Sequence, residues 1–234
     1  MKTEGGSTGL GGRLRRVRTE RGFSLRELGK LAGCSASLLS QVERGQTAPS
    51  AGVIYGIANA LEIPLEYLFG AGDDQDVPAP LSARSPFATA APVNGARPGT
   101  GESADGPAGG APPPGPALAP AGETIVQRRG QRRTIDLASG VRWERLTPQQ
   151  DARVDFLEVV YAPYGRSTDT RSPIRHDGRE YQLVLQGSLH ADIGFETYLL
   201  EAGDSLAFDP ATPHQYRNMT AEEVRVISVV VHAQ

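Results

Sequence analysis

Four polar side chains toward the C-terminal end have types and spacing suited to chemistry. His176 and Glu180 stand four apart in "RHDGREYQ", Gln182 follows, and His214 lies in "TPHQY". Two imidazoles and one carboxylate are the ligand set of a mononuclear non-haem Fe(II) centre, and they suit other divalent metals. His176, Glu180 and His214 could therefore hold one divalent cation. With Gln182 they could equally line a metal-free pocket that hydrogen-bonds a small organic effector. Read as one strand, 176–182 turns His176, Gly178, Glu180 and Gln182 to a single face. His190 and His232 read as structural or exposed.

These residues fall in a β-rich region, 123–234. Short segments rich in Val, Ile, Leu and Tyr recur about every ten residues between Gly, Pro, Asp or Asn. Eight candidate strands are "VRWERLT", "RVDFLEVVYA", "EYQLVLQG", "SLHADIG", "ETYLLEA", "DSLAFDP", "HQYRN" and "VRVISVVVH". Such punctuation predicts an all-β sandwich or barrel.

Residues 10–70 read as five helices. Leu10, Leu14 and Val17 have helical spacing, and Gly22 ends that helix. Ser24 with Glu27 forms a capping box over "LRELGKLAG". Gly33 stops the second helix, Ser35 caps "ASLLSQVERG", and Gly45 closes the third. "SAGVIYGIANALE" is a fourth, and "PLEYLFG" a short fifth with Pro64 in its first turn. Leu28, Leu31, Leu38, Leu39, Val42, Ile57 and Leu61 are the expected core.

Between them, residues 71–122 hold 11 of the chain's 18 prolines and nine glycines. No core can be built from this material, so a disordered Pro/Gly/Ala-rich linker is expected. Its root-mean-square span would be roughly 40 Å. The expected architecture is thus α + β in separate domains: a helical bundle, a tether and an all-β unit.

Charge divides along the same line. Residues 1–70 carry nine Lys and Arg against six Asp and Glu, and the remainder fifteen against twenty-one. A basic front end permits contact with a polyanion. No run of 18 or more apolar residues is present, which excludes a membrane-spanning helix. The N-terminus lacks an apolar core for a signal peptide, so cytoplasmic residence is expected. Cys34 is the single cysteine, so intrachain disulfides and thiolate clusters are excluded.

Two helices joined tightly at Gly33 are the sequence form of a helix-turn-helix. The segment "FSLRELGKLAGCSASLLSQVERGQTAPS", with "IANALEIPLEYLF", resembles the phage-repressor-type (Xre/Cro-like) helix-turn-helix domain. That resemblance implies double-stranded DNA as partner, read by the third helix in the major groove. It places Ala36, Ser37 and Gln41 at base edges, where glutamine can pair bidentately with adenine. Ser35, Ser40, Arg44, Gln46 and Thr47 fall at phosphate positions. The family's usual polar residue after the capping serine is here Leu25, and Arg26 beside it could substitute. Arg13, Arg15 and Arg16 are further candidates, while Arg18 and Glu43 occupy the family's internal ion-pair positions.

His176-x-Gly178-x-Glu180, Gly187, Gly203-Asp204-Ser205, Pro213-His214 and Asn218 resemble a cupin, a double-stranded β-helix barrel. The resemblance implies that His176, Glu180, Gln182 and His214 line the barrel interior. Metal-binding cupins usually begin with His-x-His, and Ile174 stands in the first place here. Together the two ends resemble transcriptional regulators with a repressor-type head and a cupin tail. The expectation is a sequence-specific DNA-binding regulator, not an enzyme, whose cupin binds a small-molecule effector and forms a homodimer through its sheet edges. The alternative is a cupin-type non-haem iron oxidase or epoxidase with an attached head, since hydroxypropylphosphonate epoxidase joins the same two parts.

Overall fold

A computed structural model of the chain describes residues 9–70, 77–78, 80, 125–149, 151–168 and 173–232. The expected linker 71–122 therefore lies outside the described residues, apart from Val77, Pro78 and Pro80.

The head contains α1 (Leu10–Glu20), α2 (Leu25–Leu31), α3 (Ala36–Glu43), α4 (Ala51–Ala60) and α5 (Leu65–Leu68). The capping box forms as the sequence implies: Glu27 N–H donates to Ser24 Oγ at 3.2 Å, and Ser24 N–H to the Glu27 carboxylate at 2.8 Å. Leu38 N–H donates to Ser35 Oγ at 3.0 Å, which starts α3. The α2–α3 turn depends on Gly33, whose φ of 69° favours glycine. Leu14, Val17, Leu28, Leu39, Val42, Ile57 and Leu61 are buried. Leu38 is only partly buried, and Leu31 is a correction to the expected core at 59% exposed. It is the last residue of α2, whose buried positions are Leu28 and Gly29, so its helical spacing alone was misleading.

Arg18 donates two bonds to Glu43, at 2.5 and 2.9 Å, and a third to Phe23 C=O at 2.8 Å. This bidentate pair ties α1 to the end of α3. Arg13 also turns inward, with its guanidinium on Leu68 C=O at 3.1 Å, so it braces α1 against α5. It is not available as a DNA contact.

Among the described residues the second domain has nine strands: β1 (Thr134–Leu137), β2 (Val141–Arg145), β3 (Val154–Tyr161), β4 (Arg179–Gln186), β5 (Ser188–Ile193), β6 (Glu196–Glu201), β7 (Ser205–Phe208), β8 (His214–Arg217) and β9 (Val224–Val231). β1 has no counterpart among the eight expected strands. One sheet has the order β1-β2-β3-β9-β4-β7, and the other β6-β5-β8. All the pairings are antiparallel.

Period-two burial separates the faces. Along β9, Val224, Val226, Ser228 and Val230 point in while Arg225, Ile227 and Val229 point out. Along β4, Glu180, Gln182 and Val184 point in, and Tyr181, Leu183 and Leu185 are exposed. Buried Asn218 is structural: its amide donates to the carbonyls of Ala162 and Glu222 at 2.9 and 2.6 Å.

The head and the barrel touch directly. Ala138 N–H donates to Pro49 C=O at 2.9 Å, and Ala51 N–H to Ser167 C=O at 3.2 Å. From α5, the Glu66 carboxylate accepts from Asp151 N–H and from the Thr147 hydroxyl, the latter at 3.1 Å.

Candidate functional site

The chamber inside the barrel gathers the four expected polar residues. His176 Nε2 lies 2.9 Å from Glu180 Oε2, and His214 Nε2 lies 3.5 Å from the same oxygen. Gln182 donates to Glu180 Oε1 at 2.6 Å and to Ser228 Oγ at 2.9 Å. The Tyr216 hydroxyl donates to Glu180 Oε1 at 2.7 Å. All of these side chains are buried.

His176 arrives by a different route from the one expected. It precedes β4, which begins at Arg179, and the chain bends at Asp177 and Gly178. Gly178 has φ 110°, and a Cβ there would meet Val231 O at 2.3 Å. Only glycine permits that bend, so simple strand alternation does not place His176. The bend nevertheless delivers its ring to Glu180.

Electrostatics keep the central carboxyl ionised. Burial alone would raise the Glu180 pKa, but His176, His214 and the Tyr216 hydroxyl outweigh it and hold the pKa below the usual range. Burial lowers the His214 pKa, favouring the neutral ring. Both histidines place Nδ1 against a backbone carbonyl, Asp177 O at 3.2 Å and Thr212 O at 3.0 Å. That leaves both Nε2 atoms facing Glu180, the orientation that supporting carbonyls impose on metal-ligating histidines. The ligand atoms of His176, Glu180 and His214 lie within 4.8 Å of one another. This donor set fits a divalent cation, even with Ile174 in place of a further histidine.

The chamber has a residue from the other domain. Tyr55 of α4 stacks on His176 with ring centroids 4.3 Å apart and 12° between planes. It also meets Trp143 edge-on at 5.5 Å. Tyr55 and Trp143 went unrecognised in the sequence. The available signal was α4 itself, "AGVIYGIANA", which carries no charge. A helix so largely apolar buries more than one face, and only Asn59 is exposed, so α4 needs a partner beyond its own bundle.

Glu66 gives the seam a pH dependence. Burial lifts its carboxyl from 4.5 to about 7, against the opposing pull of the Asp151 N–H, the Thr147 hydroxyl and Arg145. A carboxyl with a raised docked-state pKa takes up a proton on docking, so docking is favoured at low pH and weakens as pH rises from about 4.5 to about 7. The docking constant is expected to fall by up to about tenfold per pH unit across that window. Urea titrations followed by Trp143 emission should show the head releasing earlier above pH about 7 than near pH about 5. Glu66→Gln should close that gap.

On the head, Ser35, Ser37, Gln41, Arg44, Gln46 and Arg26 are exposed, and Ala36, Ser40 and Thr47 are half-buried. Ser37 and Gln41 share the outer face of α3, opposite Leu39 and Val42 in the core. Arg44 Nε donates to Ser40 C=O at 3.1 Å, which holds its side chain along the helix end. Leu25 packs against the core, leaving exposed Arg26 as the basic group there.

Comparisons with known proteins cover both ends. A helix-turn-helix domain model matches residues 10–67, and a cupin domain model matches 158–230. The HTH-type transcriptional regulator PuuR of Escherichia coli (strain K12) is 21% identical over 218 residues, covering 93% of this chain and 92% of that protein. The HTH-type transcriptional regulator SutR of the same organism is 35% identical over 51 residues, 22% of this chain and 29% of that protein. A crystal structure of an HTH_3 family transcriptional regulator from Vibrio cholerae aligns over 97% of each chain with TM-score 0.58 and 20% identity.

Proposed function

We propose, from the premise that this chain is a transcriptional regulator joining a helix-turn-helix domain to a cupin domain, that α3 reads an operator half-site and the barrel receives a small-molecule effector. The observation that carries the first part is the exposed outer face of α3, where Ser37 and Gln41 project free of the protein. A helix of this size enters the major groove, and its side chains meet base edges. Arg26, Arg44, Gln46 and Thr47 flank that face and suit phosphate contacts, which set register.

Two heads are needed for a two-part site, and the barrel supplies a surface for pairing. Phe156, Tyr181, Leu183 and Leu185 are exposed on the outer face of the six-stranded sheet. Phe156 and Tyr181 both sit opposite Val229, and Leu183 opposite Ile227, so they form one apolar patch. A patch of this kind supports a homodimer through the sheet's face in preference to its edges. Paired heads would then favour half-sites about 34 Å apart.

Gln41→Ala is expected to cost about 1–3 kcal/mol of discrimination between the operator and a variant at one base pair. Non-specific affinity and its salt dependence should stay nearly unchanged, because phosphate contacts carry those. Competition binding with the chain's own promoter DNA measures both. Equal affinity and selectivity for variant and wild type would remove Gln41 from the base-reading set.

A second reading follows from the inward Nε2 atoms of His176 and His214. These residues and Glu180 would hold a divalent cation, and a bound iron would supply redox chemistry toward oxygen. Stoichiometric iron with oxygen consumption, both lost in Glu180→Ala, would favour an oxidase. Absence of turnover in the iron-loaded protein favours the regulator.

A further inference from the structure

The head is the roof of the barrel. Ala51 and Tyr55 of α4 enclose the chamber together with Glu180, Gln182, His214 and Tyr216. Its free volume is about 20 Å³. One water needs roughly 10–15 Å³, whereas a cavity that takes up benzene measures about 150 Å³. The interior around Glu180, Gln182 and His214 therefore accepts an ion or a water in the docked state and has no room for an organic molecule.

The six-stranded wall offers little of the missing room. β3, β9 and β4 are paired along their lengths, and Leu157, Val184, Val226 and Val230 are almost fully buried between the sheets. It can come from the head. Two backbone hydrogen bonds, the Glu66 contacts and the Tyr55 stack cross the seam, and none of them belongs to a helix or a strand ladder. Beside Tyr55 a second cavity of about 260 Å³ follows the seam, bordered by Ala58, Leu65, Asp177 and His232. It shares Tyr55 and His176 with the approach to the chamber, so a molecule can reach the plug from outside.

The geometry points to head docking and occupation of the inner chamber by an organic effector being mutually exclusive, with Tyr55 as the plug. This rests on the chamber being the effector site, as proposed above. The signal then passes by direct contact between α4 and the barrel, and the 71–122 segment need not transmit orientation. Gln41 is exposed in the docked state, so docking governs where each head stands, not whether its reading face is open. An effector that binds only the lifted state shifts the population toward it, and DNA and effector affinities change reciprocally.

Ala51→Phe tests this in the full chain, because a phenyl group at a chamber-lining position acts as a permanent wedge. Trp143 is the chain's only tryptophan and lies against Tyr55. The expected result is a red shift of its emission. Faster hydrogen exchange is expected at the Ala138 and Asp151 amides, with the β3 and β9 amides still protected. Promoter-DNA affinity should change at least about fivefold in either direction, the lower end of ordinary allosteric coupling. Should Ala51→Phe fail to fold, Tyr55→Ala removes the plug and should loosen the same two amides. Unchanged exchange at Ala138 and Asp151 in the folded variant overturns the exclusion. Faster exchange with DNA affinity within about twofold of wild type overturns the coupling. Loss of DNA binding in the wild type itself would instead strike the regulator reading, and the exchange data would still decide on the plug.

Discussion

Glu180→Ala is expected to destabilise the barrel by about 3 kcal/mol or more, the largest effect of any single change in the chamber. Its carboxylate accepts from Gln182 and the Tyr216 hydroxyl and lies within bonding distance of His176. Truncation leaves these polar groups buried without their acceptor, and each such loss costs about 1–3 kcal/mol. A water entering the vacated space would recover part of this, while Glu180→Gln keeps one acceptor oxygen and should recover more. Thermal unfolding followed by Trp143 emission measures the difference. Divalent-cation affinity, measured calorimetrically, should fall more than about 100-fold, beyond the loss that follows removal of a merely supporting group.

Glu43→Ala is expected to destabilise the head by about 1–3 kcal/mol, the usual result of leaving a half-buried charged donor without its acceptor. The Arg18 and Glu43 side chains are only 11% and 6% exposed, so solvent replaces the lost partner only in part. Arg18 would keep its bond to Phe23 C=O, but its guanidinium would face the gap left between α1 and α3. Since domains of this size hold about 5–15 kcal/mol in total, a measurable share of the head's stability would go. Far-UV circular dichroism should show the helical transition moving to lower temperature, and DNA binding should fall with it. A melting curve unchanged from wild type would show that the pair contributes nothing net.

Sequence punctuation located the head's elements well because each signal there is local. Ser24, Ser35, Gly33 and Gly45 act within one helical turn, and helix boundaries follow from them. The barrel chemistry was legible for a similar reason. His176 and Glu180 lie close in sequence, and the cupin resemblance connects them to His214. The strand path to His176 was not legible, because the bend at Gly178 answers to Val231, fifty-three residues away. β1 was missed because "TIDL" is four residues long, follows three arginines in "RGQRR" and carries one aspartate. Its hold comes from pairing with β2, a tertiary contact that no local pattern announces. Leu31 shows the reverse error, where helical spacing without knowledge of the neighbouring helices suggested burial.

The docking of head on barrel was the least legible feature. The proline-rich stretch suggests independence of the two ends, yet Tyr55, Glu66 and Pro49 all meet the barrel. Charge-free α4 and the buried carboxylate of Glu66 are the sequence traces of that contact. Each becomes meaningful only once the partner surface is known.

Hydrogen exchange of the full-length protein, with and without duplex DNA from its own promoter region, probes the central claim most directly. Slowed exchange concentrated in residues 35–47, relieved by raising the salt concentration, is the expected result. Slowed exchange confined to the barrel, with 35–47 unchanged, would contradict it.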